Sequence, residues 1–592
     1  MPGRIPETPV TPSARFDDLR PWRRRGFALR GFEGTLVAHT PAEVRQVLAA
    51  AEDAVRSGKW VAGWVAYEAA PAFDRAMQVK QVTGTAFADL PLAWFGIAAG
   101  RTSPPPAAQG PQELTEWETL TTREHHARAV ADIHERIRAG DTYQVNHTFL
   151  MRSTLSGDPA AFYRRLTRSQ SCGYGALIDA GDWVVISASP ELFFEWRNGS
   201  IVSRPMKGTV RRGVDREDDA RLRDWLRASE KNRAENLMIV DMVRNDLGRI
   251  AAVGSVQVPA LFTTEKYDTV WQLTSTVTAR PRPGTSLVEV FEALFPSASI
   301  TGAPKVSTIS IIADLETHPR GVYCGAIGFG GPGPEGPEWA FNVGIRTVLF
   351  HRPTGAAFYG TGGGITFDSQ PADEYAEAVL KAEVLRHPGS ELRLLETTRW
   401  DPNLGARHLD RHLQRAAASA EYFDIPFDPA EVRAAISRAT KDRVDPGRLR
   451  ILIDRDGWVE VEVADLTPRV SPVRLVLDDR PIDRHDPFLR HKTTVRRTYD
   501  EARVRHPEAD DVVLWNQDRE VTETTIGNLA VCIDGEWLTP PVDSGLLPGT
   551  ERAARLAAGE LREARLTVDD LRHATGFARL NSVRGWEEAV LA

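Results

Sequence analysis

GTGGGITFDSQPADEYAEAVLKAEVL, residues 360–385, runs from a glycine-rich turn into a charged helix. Gly362, Gly363 and Gly364 carry no Cβ, so their backbone amides can approach a ligand closely. A helix begins near Pro371. On it Glu374, Glu377 and Lys381 fall at i, i+3 and i+7 and therefore share a face. Two carboxylates on one face beside a glycine loop suit a hard cation such as Mg²⁺, which takes oxygen ligands and bridges to anionic substrates. A solvated, salt-bridged helix face is the plain alternative for this segment alone.

Similar pieces lie upstream. SEKNRAENLMIVDMVRNDLGRIA (229–251) offers Glu235 ahead of the apolar run Leu237–Val240; a capped, partly buried helix is its bland explanation. SASPELFFEW (187–196) places Glu191 just before an apolar, strand-like triplet, where burial can raise a carboxyl pKa and make it a general acid. SITGAPKV (299–306) is a further glycine turn with a lysine, a candidate carboxylate cradle. SRPMKGTVRRG (203–213) holds a lysine where arginine is otherwise preferred: the chain has nine lysines against sixty-four arginines. Arginine stays protonated, whereas a desolvated lysine can lose its proton and act as base or nucleophile. Lys207 is thus a candidate for chemistry that arginine cannot do.

The 592 residues exceed what one hydrophobic core supports, so two or more domains are expected. Hydrophobic residues make up 42% and charged residues 26%, an ordinary balance for a soluble globular chain. A net charge of -8, with no basic tract interleaved with aromatics, argues against nucleic-acid binding. Cys172, Cys324 and Cys532 lie too far apart for a CxxC pair or a disulfide framework, which points to a reducing, cytoplasmic compartment. There is no signal-peptide core and no apolar run of about 18 residues, so no membrane span is expected. RHPGSE (386–391) breaks the pattern ahead of a new strand-like run, LRLLETTRW. The expected layout is 1–119 and 120–386 as two parts of one catalytic unit, a linker at 387–392, and a second unit at 393–592.

Taken together and in this order, the upstream segments resemble the chorismate-utilising enzymes, specifically component I of aminodeoxychorismate synthase. The likeness runs through YEAAPAFD (67–74), GDTYQVN (140–146), SASPELFF, RPMKGT, KNRAENLMIVDMVRNDLGR, SITGAPK, GVYCGAIGF (321–329), FNVGIRTV (341–348), GTGGGIT and the ADEYAEAVLKAE helix, roughly residues 10 to 385. It implies an α+β fold, a large two-sheet β core with outer helices.

The resemblance also implies chemistry. Gln144 stands where water-adding relatives carry a lysine base. Lys207 stands where anthranilate-forming relatives usually have alanine, and Asn232 is typical of the aminodeoxychorismate group. Lys207, as a free amine, is implied to attack ring C2 of chorismate and expel the C4 hydroxyl, with Glu191 supplying the proton. Ammonia then adds at C4 and Lys207 departs. Mg²⁺ on Glu235, Glu374 and Glu377 is implied to bind the ring carboxylate. Tyr323, Arg346, Lys381 and the glycine-loop amides at Gly363 and Gly364 are implied to hold the two carboxylates of the dianion. Gln144, Gly208, Thr209, Gln272, Thr301 and Gly302 complete the expected substrate-binding set. Gln272 departs from the pattern, since many relatives have histidine there. No cysteine context resembles a glutaminase elbow, so a separate glutamine amidotransferase subunit is expected to supply ammonia.

The C-terminal segment has only two lysines, Lys441 and Lys492. FLRHKTTVRRTYDEAR (488–503) puts Lys492 at a polar junction leading into a helix. DREVTETTIGNLAV (518–531) supplies Glu523 and Asn528, and TPPVDSGLLPGTERAARLAAG (539–559) supplies a glycine followed by a helix start, a ready phosphate site. A lysine, a buried acid and a phosphate cradle are what pyridoxal phosphate needs; on spacing alone, a surface lysine and a turn acid explain the same residues. With LLETTRWDPNLGARHLDRHLQRAAASAEYF (394–423), these segments resemble the class IV (fold type IV) pyridoxal-phosphate enzymes, which include branched-chain aminotransferases and aminodeoxychorismate lyase. The resemblance implies that Lys492 carries the cofactor and shuttles protons, that Glu523 pairs with the pyridine nitrogen, and that Arg415 and the Thr550 and Glu551 amides bind phosphate, with Asn528 beside them. Relatives carry a strand pair ahead of the LLET strand that is missing here; the unit is expected either to borrow surface from upstream chain or to have reduced activity. The pairing of the two units suggests synthesis of 4-aminobenzoate, with dimerisation through the C-terminal unit a further expectation. The alternatives are a non-catalytic or aminotransferase C-terminal unit, or an anthranilate-type synthase.

Overall fold

The computed structural model describes residues 11–20, 25–105, 112–168, 172–267, 270–386, 392–466 and 471–592. Of the linker expected at 387–392, all but Leu392 lies outside the described residues. The chain divides into two compact units: 1–210 with 224–389, and Arg211–Arg223 with 390–592. The first unit is a large two-sheet α+β body, and the second a smaller α/β body with two sheets of its own.

In the first unit, β1 (Gln144–Gly157) begins with eight buried residues and only then alternates, as a strand covered on both faces at one end must. Next come β2 (Met206–Arg211), α1 (Glu230–Gly248), β3 (Val270–Ala279), β4 (Ala356–Ile365) and α2 (Pro371–Lys381). β1 pairs antiparallel with β4 from Val145↔Ile365 to Thr154↔Ala356 in one sheet, while β2 and β3 are neighbours in the other. One apolar cluster, with Phe16, Ile178 and Val185 from the first sheet and Trp64, Trp94 and Ile327 from the second, packs the sheets face to face. Each such fully buried side chain contributes roughly 1.5–3 kcal/mol. Two further clusters lay helices over the outer faces: α1 with the 287–294 helix on one side, α2 with the 159–168 helix on the other. The ends of β2 and β4 and the charged faces of α1 and α2 are thereby left around one polar region.

The second unit opens its C-terminal part with β5 (Leu394–Asp401), followed by α3 (Leu409–Phe423) and β6 (Gly447–Ile453). β5 and β6 lie in a four-stranded sheet. Then come α4 (Arg497–Arg505), β7 (Val521–Thr524), β8 (Asn528–Ile533), α5 (Thr550–Ala557) and β9 (Gly576–Asn581), whose strands belong to an eight-stranded mixed sheet. The Arg211–Arg223 segment is part of this unit's core. Arg212 is fully buried, paired to both Asp219 oxygens at 2.7 and 2.9 Å and stacked over the Tyr422 ring at 4.1 Å, while Tyr422 donates its hydroxyl to Gly213 O at 2.7 Å.

Candidate active sites

In the first unit, a Cβ added at Gly364 would stand 2.5 Å from Lys207 Nζ and 2.6 Å from Gln144 Nε2. Strand β4, the lysine of β2 and the first residue of β1 therefore meet at one point, and glycine is what allows the approach. Gln144 is fully buried, yet neither its amide oxygen nor its nitrogen has a hydrogen-bond partner. An unmatched buried polar group costs ~1–3 kcal/mol, a cost that a bound ligand relieves.

Lys207 is held by its backbone. Asn236 of α1 donates to Lys207 O at 3.2 Å and to Leu273 O at 3.3 Å, and Ser275 donates to Asn236 Oδ1 at 2.6 Å. Gly208 adopts φ 102°, a left-handed conformation that favours glycine, with Asn232 packed against it. Burial pushes the Lys207 amine down; the Glu235 carboxylate opposes this and the Lys381 ammonium adds to it. Glu191 is buried, and burial pushes its carboxyl up to about 7 against a hydrogen bond from Ser299 and the charge of Lys207.

The glycine turn at 299–302 lies against Gln144. Gly302 sits at φ 146°, with Gln144 O 2.0 Å from where its Cβ would be, and Thr301 O accepts from Asn146 N at 2.7 Å. The Thr301 hydroxyl donates to Ser297 O at 3.0 Å. The lysine of this turn is a structural clasp: Lys305 is held by Asp246 at 2.8 Å and Leu294 O at 3.1 Å. It is committed to those partners, contrary to the cradle expected from SITGAPKV. Lys381 donates to Gly362 O at 2.9 Å and pairs with Glu377 at 2.8 Å, beside Gly363. Tyr323 is buried against Gly360, Gln272 is buried on β3 opposite Glu265, and Arg346 sits at φ 49°. Thr209 is exposed on β2.

The three carboxylates expected to hold Mg²⁺ lie around Lys207. Glu235, Glu374 and Glu377 all act on the Lys207 charge, and Glu374 Oε2 stands 3.1 Å from a Cβ at Gly363. Among the described residues, however, no group of three His, Cys, Asp or Glu side chains is drawn close enough to form a ready metal site. Converging carboxylates repel one another, and here Lys381 and Lys207 sit among them at 2.8 and 3.9 Å from Glu377 and Glu235. The donor chemistry fits a hard divalent cation; the ligand cage is not preformed.

In the second unit a cavity of about 390 Å³ is lined by Lys492, Glu523, Asn528, Arg415, Thr550 and Glu551, the whole expected cofactor set. Burial pushes the Lys492 amine down to about 8, helped by Arg415 and Arg496. Burial pushes Glu523 up to about 7, the opposite direction for an acid. Glu523 Oε1 accepts from Tyr499 at 2.7 Å and Leu547 N at 3.0 Å, and Oε2 accepts from Asn528 at 3.1 Å. With two acceptor positions per oxygen, one on Oε2 is left for a pyridinium N–H. Asn528 also donates to Leu547 O at 2.9 Å, and a Cβ at Gly549 would collide with Asn528 Oδ1 at 1.8 Å. Glycine is required at this helix start.

Two parts of this cavity escape sequence reasoning. Tyr499 holds Glu523 from the first turn of α4, and His412, Glu396 and Ser582 surround Arg415 and Thr550. Arg415 is not a bare cation: Glu396 accepts from it at 3.0 and 2.5 Å. Glu551 offers only its amide to the cavity side, because its carboxylate is taken by Arg407, His408 and Arg555 at 2.9–3.0 Å. The repeated HLDRHLQR pattern in α3 is the one sequence signal that points to His412.

A family model described as chorismate binding enzyme matches residues 12–387, and one described as amino-transferase class IV matches residues 393–589. The chain belongs to the chorismate-binding enzymes, with a class IV aminotransferase domain following. It is similar to the aminodeoxychorismate synthase of Streptomyces griseus, 42% identical over 315 residues, 52% of this chain and 42% of that protein. Aminodeoxychorismate synthase component 1 of Klebsiella aerogenes is 40% identical over 274 residues, 46% of this chain and 59% of that protein. The component 1 of Salmonella typhimurium is 36% identical over 326 residues, 54% of this chain and 69% of that protein. The first two are therefore matched over 42% and 59% of their own lengths. Anthranilate synthase component I from Streptococcus pneumoniae shares the fold of the first unit, with a TM-score of 0.51 at 24% identity over 65% of this chain and 94% of that one. Among the described residues no helix is long and apolar enough to cross a membrane.

Proposed function

We propose that the chain makes 4-aminobenzoate from chorismate in two steps, amination in the first unit and elimination of pyruvate in the second. One observation carries the first step: an amine whose charge burial disfavours, Lys207, meets an orphaned amide, Gln144, at a glycine of β4, while the same lysine acts on a carboxyl held near 7, Glu191. Lys207 nitrogen bonds to ring C2, the ring double bond shifts, and the C4–oxygen bond breaks. Glu191 gives its proton to the departing hydroxyl, which leaves as water. Ammonia then bonds to C4 and the C2–nitrogen bond breaks, returning Lys207 as an amine. Gln144, which cannot take a proton, orients ligand where a base would activate water. Glu235, Glu374 and Glu377 would hold Mg²⁺ against the ring carboxylate, and Lys381, Arg346 and the Gly363 and Gly364 amides would complete the dianion's neutralisation.

Ammonia is proposed to come from a separate glutaminase. Cys172 and Cys324 are buried with thiols pushed up by burial, the reverse of an activated nucleophile.

In the second unit, pyridoxal phosphate supplies, when bound, an electron sink for the pair left by a departing C4 proton. Lys492, with its amine near 8, takes that proton and passes it to the enolpyruvyl methylene carbon, so that pyruvate leaves and the ring becomes aromatic. Glu523 keeps the pyridine nitrogen protonated through its one remaining acceptor position. Arg415 and the amides at the start of α5 hold the phosphate. Incubation with chorismate, ammonia, Mg²⁺ and pyridoxal phosphate tests the reading: 4-aminobenzoate and pyruvate are expected, and 2-aminobenzoate overturns it.

A further inference from the structure

The phosphate end of the second cavity contains a chain of groups with too few protons facing outward. Glu396 Oε2 lies 2.6 Å from His412 Nδ1, His412 Nε2 lies 3.0 Å from Thr550 Oγ1, and Thr550 Oγ1 is hydrogen-bonded to Ser582 Oγ. His412, Thr550 and Ser582 all line the cavity, and His412 is only 1% exposed. Glu396 is an ionised carboxylate, held down to about 2 by Arg415 and His412 against its burial. It can only accept, so His412 Nδ1 carries a hydrogen.

The direction of the remaining bonds follows from the charge of the ring. In a neutral ring Nε2 has no hydrogen and accepts from Thr550, and Thr550 in turn accepts from Ser582. Both hydroxyl protons are then spent inside the chain, and oxygen lone pairs face the cavity. An anion placed there meets repulsion. In the imidazolium form the two outer bonds reverse while Nδ1–H still donates to Glu396: Nε2–H donates to Thr550, Thr550 donates to Ser582, and the Ser582 hydroxyl is released toward the ligand. The ring also adds a positive charge.

We propose that His412 takes up a proton when a phosphate ester enters this cradle, making it a positioning residue that turns the Thr550–Ser582 hydroxyl chain to face the anion. This rests on the reading of the cavity as a pyridoxal phosphate site. The charged groups facing His412 are Glu396 from β5, Arg415 from its own helix and Lys492 from the segment before α4; Glu551, next to Thr550, is turned to other partners. Burial, Arg415 and Lys492 disfavour the imidazolium in the empty cradle, while Glu396 favours it. Two negative charges from the ligand reverse that balance.

The test is calorimetric binding of pyridoxal 5′-phosphate to the full chain at pH 8, in buffers of different ionisation enthalpy, so that proton uptake is read directly. Contributions from Lys492 and from the phosphate itself are common to all variants. Wild type is expected to take up roughly one proton more than His412→Asn, which keeps a donor toward Glu396 but has no Nε2. Its dissociation constant is expected to rise about tenfold more per pH unit than the variant's as pH increases. His412→Gln, which likewise has no ionisable ring, is expected to lose the same proton and decides the matter if His412→Asn does not fold. Equal uptake in wild type and a folded variant overturns the proposal. Failure of wild type to bind the cofactor at all overturns the cofactor reading beneath it.

Discussion

Lys207 Nζ lies 3.9 Å from Glu235 Oε2, close enough for attraction and too far for a hydrogen bond. The side chain is largely buried, with 17% of its surface exposed, so its charge is disfavoured by desolvation without being locked in by a tight partner. A hydrogen-bonded ion pair would have kept the amine cationic. The looser contact leaves a nitrogen that can shed its proton once substrate excludes water.

Lys207→Ala is expected to lower 4-amino-4-deoxychorismate formation by roughly 10³-fold or more, with the elimination of supplied intermediate unchanged. Lys207→Arg is expected to fail equally, because a guanidinium keeps its charge. Separate assays of the two half-reactions check this; loss of both contradicts independent sites.

Glu191 must be protonated to act as an acid. Its carboxyl is raised to about 7, so the competent form is present below that pH and lost above it. Amination is expected to fall on the alkaline side of about 7. Glu191→Gln is expected to cost roughly 10²–10⁴-fold and to remove that limb from the residual rate. A pH–rate profile of wild type and variant measures both.

Gly364→Ala places a methyl group 2.5 Å from Lys207 Nζ and 2.6 Å from Gln144 Nε2, so the ends of both side chains must shift from their positions. Amination is expected to drop by at least the loss seen for a displaced nucleophile, about 10²-fold, while elimination persists. Steady-state rates of each half-reaction decide it.

Lys492→Ala is expected to abolish the visible absorbance band of bound cofactor and to let 4-amino-4-deoxychorismate accumulate from chorismate and ammonia. Tyr499→Phe removes one of three donors to Glu523, worth ~1.5–3 kcal/mol for a hydrogen bond to a charged group, and is expected to slow elimination by roughly tenfold or more with cofactor still bound. Absorbance spectra with product analysis separate these outcomes.

Short local patterns in the sequence carry much of both sites. Spacing puts Glu374, Glu377 and Lys381 on one face of α2, whereas Lys207 and Glu191 take their roles from the family resemblance, and the glycines expected in a turn stand within strand β4. Lys492, Glu523 and the Gly549–Thr550 helix start are legible only through the resemblance to the class IV enzymes, since a surface lysine and a turn acid explain their spacing equally well. What spacing does not carry is contact across the fold. His412 reaches Thr550, 138 residues away, and Ser582 is 32 residues beyond that, so no periodicity links the three. The metal set shows the complementary limit: sequence supplies three carboxylates of the right type and puts Lys381 on the helix face of two of them, but only packing reveals that Lys207 stands beside Glu235. The Arg211–Arg223 segment continues directly from β2, yet joins the second unit's core through the Arg212–Tyr422 contact, which no composition break announces.

Mass spectrometry of the full chain incubated with chorismate and Mg²⁺ in the absence of ammonia tests the nucleophile most directly. The expected result is a covalent adduct on the Lys207 peptide with the mass of chorismate less one water, discharged when ammonia is added. Amination that proceeds undiminished in Lys207→Ala, with no adduct on the wild-type peptide, would contradict it.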